Sequence, residues 1–155
     1  MNIAIITARG GSKRIPHKNI KNFCGRPIIE YSIEAAKEAG IFDVVMVSTD
    51  DKMIAAISIN AGAEVPFMRS VETSNDYATT ADVLKEVLET YKEMGTYFDN
   101  VCCIYPTAPF VNGEKLKKAV LLLQEFDFDS VMPVTAFSFP PLRGMELKNN
   151  KLQYK

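Results

Sequence analysis

IAII at Ile3–Ile6, running straight into ARGGSKRIPHKNI at Ala8–Ile20, is the stretch that decides the fold. The first four residues are short, β-branched and continuously apolar, as expected of a strand covered on both faces. The second part is a long polar loop carrying Arg9, Lys13, Arg14 and Lys18 around the pair Gly10 and Gly11. A buried strand that opens into a glycine-containing cationic loop is the entry of an α/β nucleotide-type domain, because ligands of such sheets sit beyond the carboxyl ends of the strands.

Outward from that stretch, strands and helices alternate. Ile28, Ile29, Ile33 and Ala36 fall at helical spacing in Pro27–Ala39, and Gly40 stops the helix. Val44–Val47 predicts a second buried strand, with Ser48, Thr49 and Asp50 as cap residues before a helix over Lys52–Asn60. Glu64–Met68 predicts a third strand and Arg69–Tyr77 a loop. Thr79 or Thr80 caps the next helix, whose stripe is Val83, Leu84, Val87, Leu88 and Tyr91. Val101–Tyr105 predicts a fourth strand, PTAPF at Pro106–Phe110 a stiff turn, Glu114–Phe126 a helix and Ser130–Thr135 a fifth strand. The whole predicts a Rossmann-like, mostly parallel sheet with helices on both faces. Regular structure is expected to weaken after Phe139, where Pro140 and Pro141 precede a polar tail from Leu147 to Lys155.

Composition narrows the function. The 155 residues hold 18 Lys+Arg against 19 Asp+Glu, a net charge of −1, which leaves no excess of positive charge for a nucleic acid backbone. With 47% hydrophobic and 24% charged residues the chain is an ordinary folded domain. No apolar run nears the ~20 residues that span a bilayer, so no membrane role is expected. Three cysteines, Cys24, Cys102 and Cys103, lack the paired spacing of a zinc site and read as core thiols of a cytoplasmic protein.

In the loop after the first strand, glycines without a Cβ let backbone N–H groups approach an oxyanion, while Arg9, Ser12, Lys13 and Lys18 hold and neutralise it. This composition suits a polyphosphate; the alternative is a solvated basic turn. The loop has neither the GxxxxGK[ST] of a P-loop nor the GxGxxG of a dehydrogenase. Asp50 therefore reads as a helix cap, and His17, the single histidine, as structural. Asp50, Asp51 and Asp76 are candidate magnesium ligands, but none is paired in a DxD arrangement and each reads better as a cap or a solvated charge, so the sequence identifies no metal site.

With VSTDD at Val47–Asp51 and YPTAPF at Tyr105–Phe110, ARGGSKRIPHKNI makes the chain resemble the acylneuraminate cytidylyltransferases over Met1 to about Gly144. AEVPFMR at Ala63–Arg69 and IYPTAPF place it nearest the branch acting on pseudaminic acid. The resemblance implies a nucleotide-diphospho-sugar transferase fold. It implies CMP transfer from CTP to a nine-carbon acidic sugar of pseudaminic or sialic type, with release of pyrophosphate and Mg²⁺ as cofactor.

By the same resemblance Arg9, Gly10, Gly11, Ser12 and Lys13 surround the triphosphate, with Arg9 and Lys13 stabilising departing charge. Lys18, Asn19, Arg69 and Thr80 contact the nucleotide, Asn19 near the base. Tyr105, Thr107 and Arg143 lie on the sugar side, Tyr105 standing where sialic acid enzymes have Gln. The family extends further, through a dimerisation excursion and metal-binding aspartates. Residues 1–155 are therefore expected to be a single, incomplete nucleotidyltransferase domain, homodimeric when intact. A nucleotide-binding fragment without turnover and a ketodeoxyoctonate cytidylyltransferase are the alternatives.

Overall fold

The computed structural model describes residues 1–138 and 144–154. Its centre is β1 (Asn2–Thr7), flanked in parallel by β4 (Val44–Ser48) on one side and β5 (Asn100–Ile104) on the other. Ile3 pairs with Val44 and with Val101, and the register holds to Thr7 opposite Ser48 and Ile6 opposite Ile104. Ile3, Ala4, Ile5 and Ile6 are wholly buried, which is why the run carries no polar residue.

Successive side chains leave a strand on opposite faces, so β1 seeds two cores. Ala4, Ile6 and Ala8 meet Ile29, Ile33 and Ala36 of α1 (Ile28–Ala39) and Ile54 of α2 (Lys52–Asn60), with Leu116 of α5 (Gly113–Glu125) at the margin. Ile3, Ile5 and Met46 meet Val87 and Tyr91 of α4 (Thr80–Glu93) on the other face. Helices therefore cover both faces, as the strand–helix alternation predicts. Gly40 ends α1 with φ 63°, a left-handed turn that costs glycine nothing. Among the described residues no helix is long and apolar enough to cross a membrane.

The chain departs from its pattern in several places. Glu64–Met68 is not a strand: Glu64 alone forms a parallel bridge with Met46, since Pro66 has no N–H to continue a ladder. Arg69–Tyr77 is not all loop but contains the one-turn α3 (Val71–Ser74), capped by Ser70. Ser130–Thr135 forms no strand: among the described residues nothing pairs with it, although the outer edge of β5 carries no other strand. The tail is more regular than its polarity suggests. β6 (Met145–Lys148) and β7 (Lys151–Tyr154) make an antiparallel hairpin whose turn residues Asn149 and Asn150 both have positive φ. Two-residue strands β2 (Asn22–Phe23) and β3 (Arg26–Pro27) form a further small hairpin, and Cys24 in its turn is exposed, so it is no core thiol. Cys102 and Cys103 are part-buried, and burial pushes the Cys102 thiol up to about 11 and Cys103 up as well.

The two cores share β1, so cavities made in either should be felt by the whole sheet. Ile33→Ala is expected to lower unfolding free energy by about 2–5 kcal/mol, read from the urea midpoint of the purified chain.

Candidate functional site

Because the three strands run parallel, Thr7, Ser48 and Ile104 finish at one end of the sheet. The loops that leave them gather there. The chain goes from β1 outward to β4 and then crosses to β5 on the far side of β1. That reversal opens a crevice beyond the ends of β1 and β5, the place where sheets of this type take ligands. A cleft of about 250 Å³ lies there. Arg9, Lys18 and Asn19 line it from the loop after β1, Arg69 from the segment before α3, Thr80 from the first turn of α4, and Tyr105 and Thr107 from the loop after β5.

Each wall has a local cause. Lys18–Ile20 folds into a single 3-10 turn, which Ile20 anchors against the core. Asn19 is buried, with Nδ2 donating to the Arg9 carbonyl at 2.8 Å; among the described residues its Oδ1 has no partner. Arg69 is a buried cation whose Nε donates to Ser48 Oγ at 2.9 Å and whose Nη2 donates to the Ser48 carbonyl at 2.5 Å. Its backbone N–H reaches Thr49 O at 2.8 Å, so the guanidinium is fixed to the end of β4. Burial lowers its pKa from the ordinary value against the opposing field of Asp50 and Glu86, yet a guanidinium stays charged in proteins.

Thr79, not Thr80, caps α4, forming a capping box with Asp82. This leaves the Thr80 hydroxyl free to face Tyr105, 3.3 Å from its phenol oxygen. The backbone of Tyr105 is in turn held by the buried Ser32 hydroxyl of α1, which donates to its carbonyl at 2.9 Å.

The glycine pair divides in role. A Cβ on Gly10 would lie 2.9 Å from Asp51 Cβ, whereas one on Gly11 would meet nothing within 4 Å. Gly10 lets the loop lie against Asp50 and Asp51. Its N–H donates to Asp50 Oδ1 at 2.8 Å, and Asp51 is the residue that caps α2, accepting from Met53 and Ile54 N–H at 2.7 and 3.1 Å. Asp50 is therefore a loop anchor and not the helix cap. Gly10, Gly11, Ser12 and Lys13 do not line the cleft but stand beside it, Lys13 exposed and ion-paired with Asp76. Arg143 lies outside the described residues. His17 is exposed in the left-handed region at φ 49°, at the start of the 3-10 turn.

Thr73, Asn75 and Asp76 also line the cleft and had no place among the phosphate-binding candidates. The usable signal was SNDYATT at Ser74–Thr80, an Asn–Asp turn running into a helix cap. Asp76 is held below the usual carboxylate range by hydrogen bonds from Lys13 and Arg9, so it is a fixed anion among the cations. Among the described residues no three Asp, Glu, His or Cys side chains gather to hold a metal ion.

Residues 3–151 match the family model described as Cytidylyltransferase. A pseudaminic acid cytidylyltransferase of Campylobacter jejuni is 41% identical over 153 residues, which are 99% of this chain and 66% of that protein. A CMP-N,N'-diacetyllegionaminic acid synthase of Legionella pneumophila is 34% identical over 139 residues, 90% of this chain and 60% of that one. The chain thus spans less than two thirds of the length of these relatives. A solved CMP:2-keto-3-deoxy-manno-octonic acid synthetase complexed with CTP superposes on 80% of this chain and 47% of its own, with TM-score 0.67 at 22% identity, a likeness of fold.

The glycine geometry makes a paired prediction. Gly10→Ala should destabilise the chain by about 1–3 kcal/mol through overpacking on Asp51. Gly11→Ala should stay within about 0.5 kcal/mol of the parent. Thermal unfolding of the two variants checks both.

Proposed function

The chain belongs to the cytidylyltransferase family, and from that premise we propose that its cleft binds CTP and that the protein transfers CMP to a nine-carbon acidic sugar, releasing pyrophosphate. The observation that carries this reading is the meeting, in one cleft at the β1–β5 crevice, of Arg9, Lys18 and Arg69 with Asn19, Thr80, Tyr105 and Thr107. Three cations beside a neutral polar wall suit a ligand with one polyanionic end and one uncharged polar end. A nucleoside triphosphate is such a ligand.

In this reading the sugar's anomeric hydroxyl, passing its proton to water, attacks the α-phosphorus, the bond to the bridging oxygen breaks, and pyrophosphate departs. Transfer of this kind needs positioning and charge neutralisation more than covalent help from the protein. Arg9 and Lys13 supply charge toward the leaving group. The Asn19 carbonyl oxygen, without a partner among the described residues, is an acceptor for the exocyclic amine of cytosine, which uracil lacks. Tyr105 and Thr107 face the sugar, and the likeness to the pseudaminic acid enzyme supports pseudaminic acid as the sugar. Arg143 belongs to this side only by the family resemblance.

Magnesium is proposed as cofactor on that resemblance alone. The described residues do not fit a protein-held site, since Asp50, Asp51 and Asp76 are already engaged by Gly10 N–H, the start of α2 and two cations. A cytoplasmic setting and a homodimer are proposed on the same footing.

Incubation of the protein with CTP, Mg²⁺ and pseudaminic acid should release pyrophosphate. Release with ketodeoxyoctonate alone would reassign the sugar, and CTP binding with no release from any such acid would reduce the protein to a nucleotide-binding module. Lys13→Ala should weaken CTP binding about tenfold in calorimetry, the loss of one charge-assisted hydrogen bond, without moving the melting temperature.

A further inference from the structure

Arg9 and Lys13 sit on a long loop and are tied by one carboxylate from the opposite wall. Asp76 Oδ1 lies 2.9 Å from Arg9 Nη1, and Asp76 Oδ2 takes a hydrogen bond from Lys13 Nζ. Arg9 Nη1 also donates to the Asn75 carbonyl at 2.7 Å. Both holds on the guanidinium fall on the same nitrogen. Among the described residues Nε and Nη2 of Arg9 make no hydrogen bond, and they belong to a side chain that lines the cleft. Lys13 likewise commits one of its three N–H donors.

The carboxylate that does this is itself firmly mounted. Ser70 caps α3, the Ser74 hydroxyl donates back to the Ser70 carbonyl at 2.6 Å, and Asn75 Nδ2 donates to the Glu72 carbonyl at 2.7 Å. On the far side Asn75 Oδ1 accepts from the N–H groups of Tyr77 and Ala78 at 2.8 and 2.9 Å. Glu86 of α4 clamps the base of this arm, accepting from Ser70 N–H at 2.8 Å, from Ser70 Oγ at 3.1 Å and from Thr73 Oγ1. Desolvation pushes the Glu86 carboxyl up, but these hydrogen bonds and Arg69 outweigh it and hold it below its usual range.

We propose that Asp76 is a positioning residue, aiming the free donors of Arg9 and Lys13 at the phosphates of the incoming nucleotide. The proposal rests on the nucleotide reading of the cleft. A carboxylate lodged between two cations could act oppositely, as an internal rival that a ligand must displace, and the two roles differ in sign. The contact geometry supports positioning, because Arg9 spends only Nη1 and Lys13 only one of its three N–H donors on Asp76, and each keeps the remainder for a ligand. Rigid mounting of the arm through Glu86 serves an aiming device and would hinder a carboxylate that has to leave.

Calorimetric titration of the wild-type chain, Asp76→Asn, Asp76→Ala, Arg9→Ala and the Arg9→Ala/Asp76→Ala double variant, with CTP and separately with inorganic pyrophosphate, decides it. Both Asp76 variants should bind about tenfold more weakly at unchanged melting temperature, whereas Asp76→Ala should cost markedly less once Arg9 is gone, the non-additivity of residues that act through one another. Unchanged or tighter binding in the Asp76 variants, or full additivity with Arg9→Ala, overturns the proposal. If the wild type takes pyrophosphate but not CTP, the nucleotide reading falls while the same comparison with pyrophosphate upholds or overturns Asp76. Binding of neither overturns both.

Discussion

Parallel pairing of Asn2–Thr7 on both its edges is the constraint on which the rest of this molecule depends. A strand hydrogen-bonded on two sides and covered on two faces must be apolar throughout, and Ile3–Ile6 has no exposed atom to spare. Parallel direction also forces every strand to finish at the same end. Loops far apart in sequence, after Thr7, Ser48 and Ile104, are thereby delivered to one crevice without any of them having to recognise the others.

The crevice brings together positive charges that would repel one another, and the fold answers each separately. Arg69 is tied to the oxygens of Ser48 and lies in the field of Asp50 and Glu86. Arg9 and Lys13 share Asp76. Lys18 stands on a one-turn helix held down by Ile20. In the proposed reading, cations kept in place by partial neutralisation meet the polyanion without having to be assembled at the moment of binding, the form of preorganisation that electrostatic catalysis uses.

Much of this was legible in the residues. IAII announced the central strand, Gly40 the end of α1, and the helix Lys52–Asn60 has its expected bounds, although Asp51 caps it and not Ser48, Thr49 or Asp50. ARGGSKRIPHKNI pointed to a cationic loop after the first strand, and of its candidates Arg9, Lys18 and Asn19 do line the cleft. The misreadings share a cause. Glu64–Met68 and Ser130–Thr135 have strand-like composition, but a strand exists only where its backbone N–H and C=O groups meet those of a partner. Pro66 spoils the first and no partner meets the second among the described residues. Asn149–Asn150 was the opposite case, a turn signal overlooked because the flanking residues were polar.

Local chemistry in the chain was enough to determine which segments are buried, where helices begin and stop, and that a cationic glycine-containing loop follows the first strand. Those properties come from neighbours a few residues away, whose spacing and side-chain types are fixed by covalent order. Which glycine is needed for close approach, which aspartate caps and which anchors, and that Asp76 meets Arg9 and Lys13 from 63 positions or more along the chain were decided only by the tertiary structure. Such contacts depend on the order β4-β1-β5, and the edge of β1 that each strand occupies is a property of the packed sheet, not of any one segment.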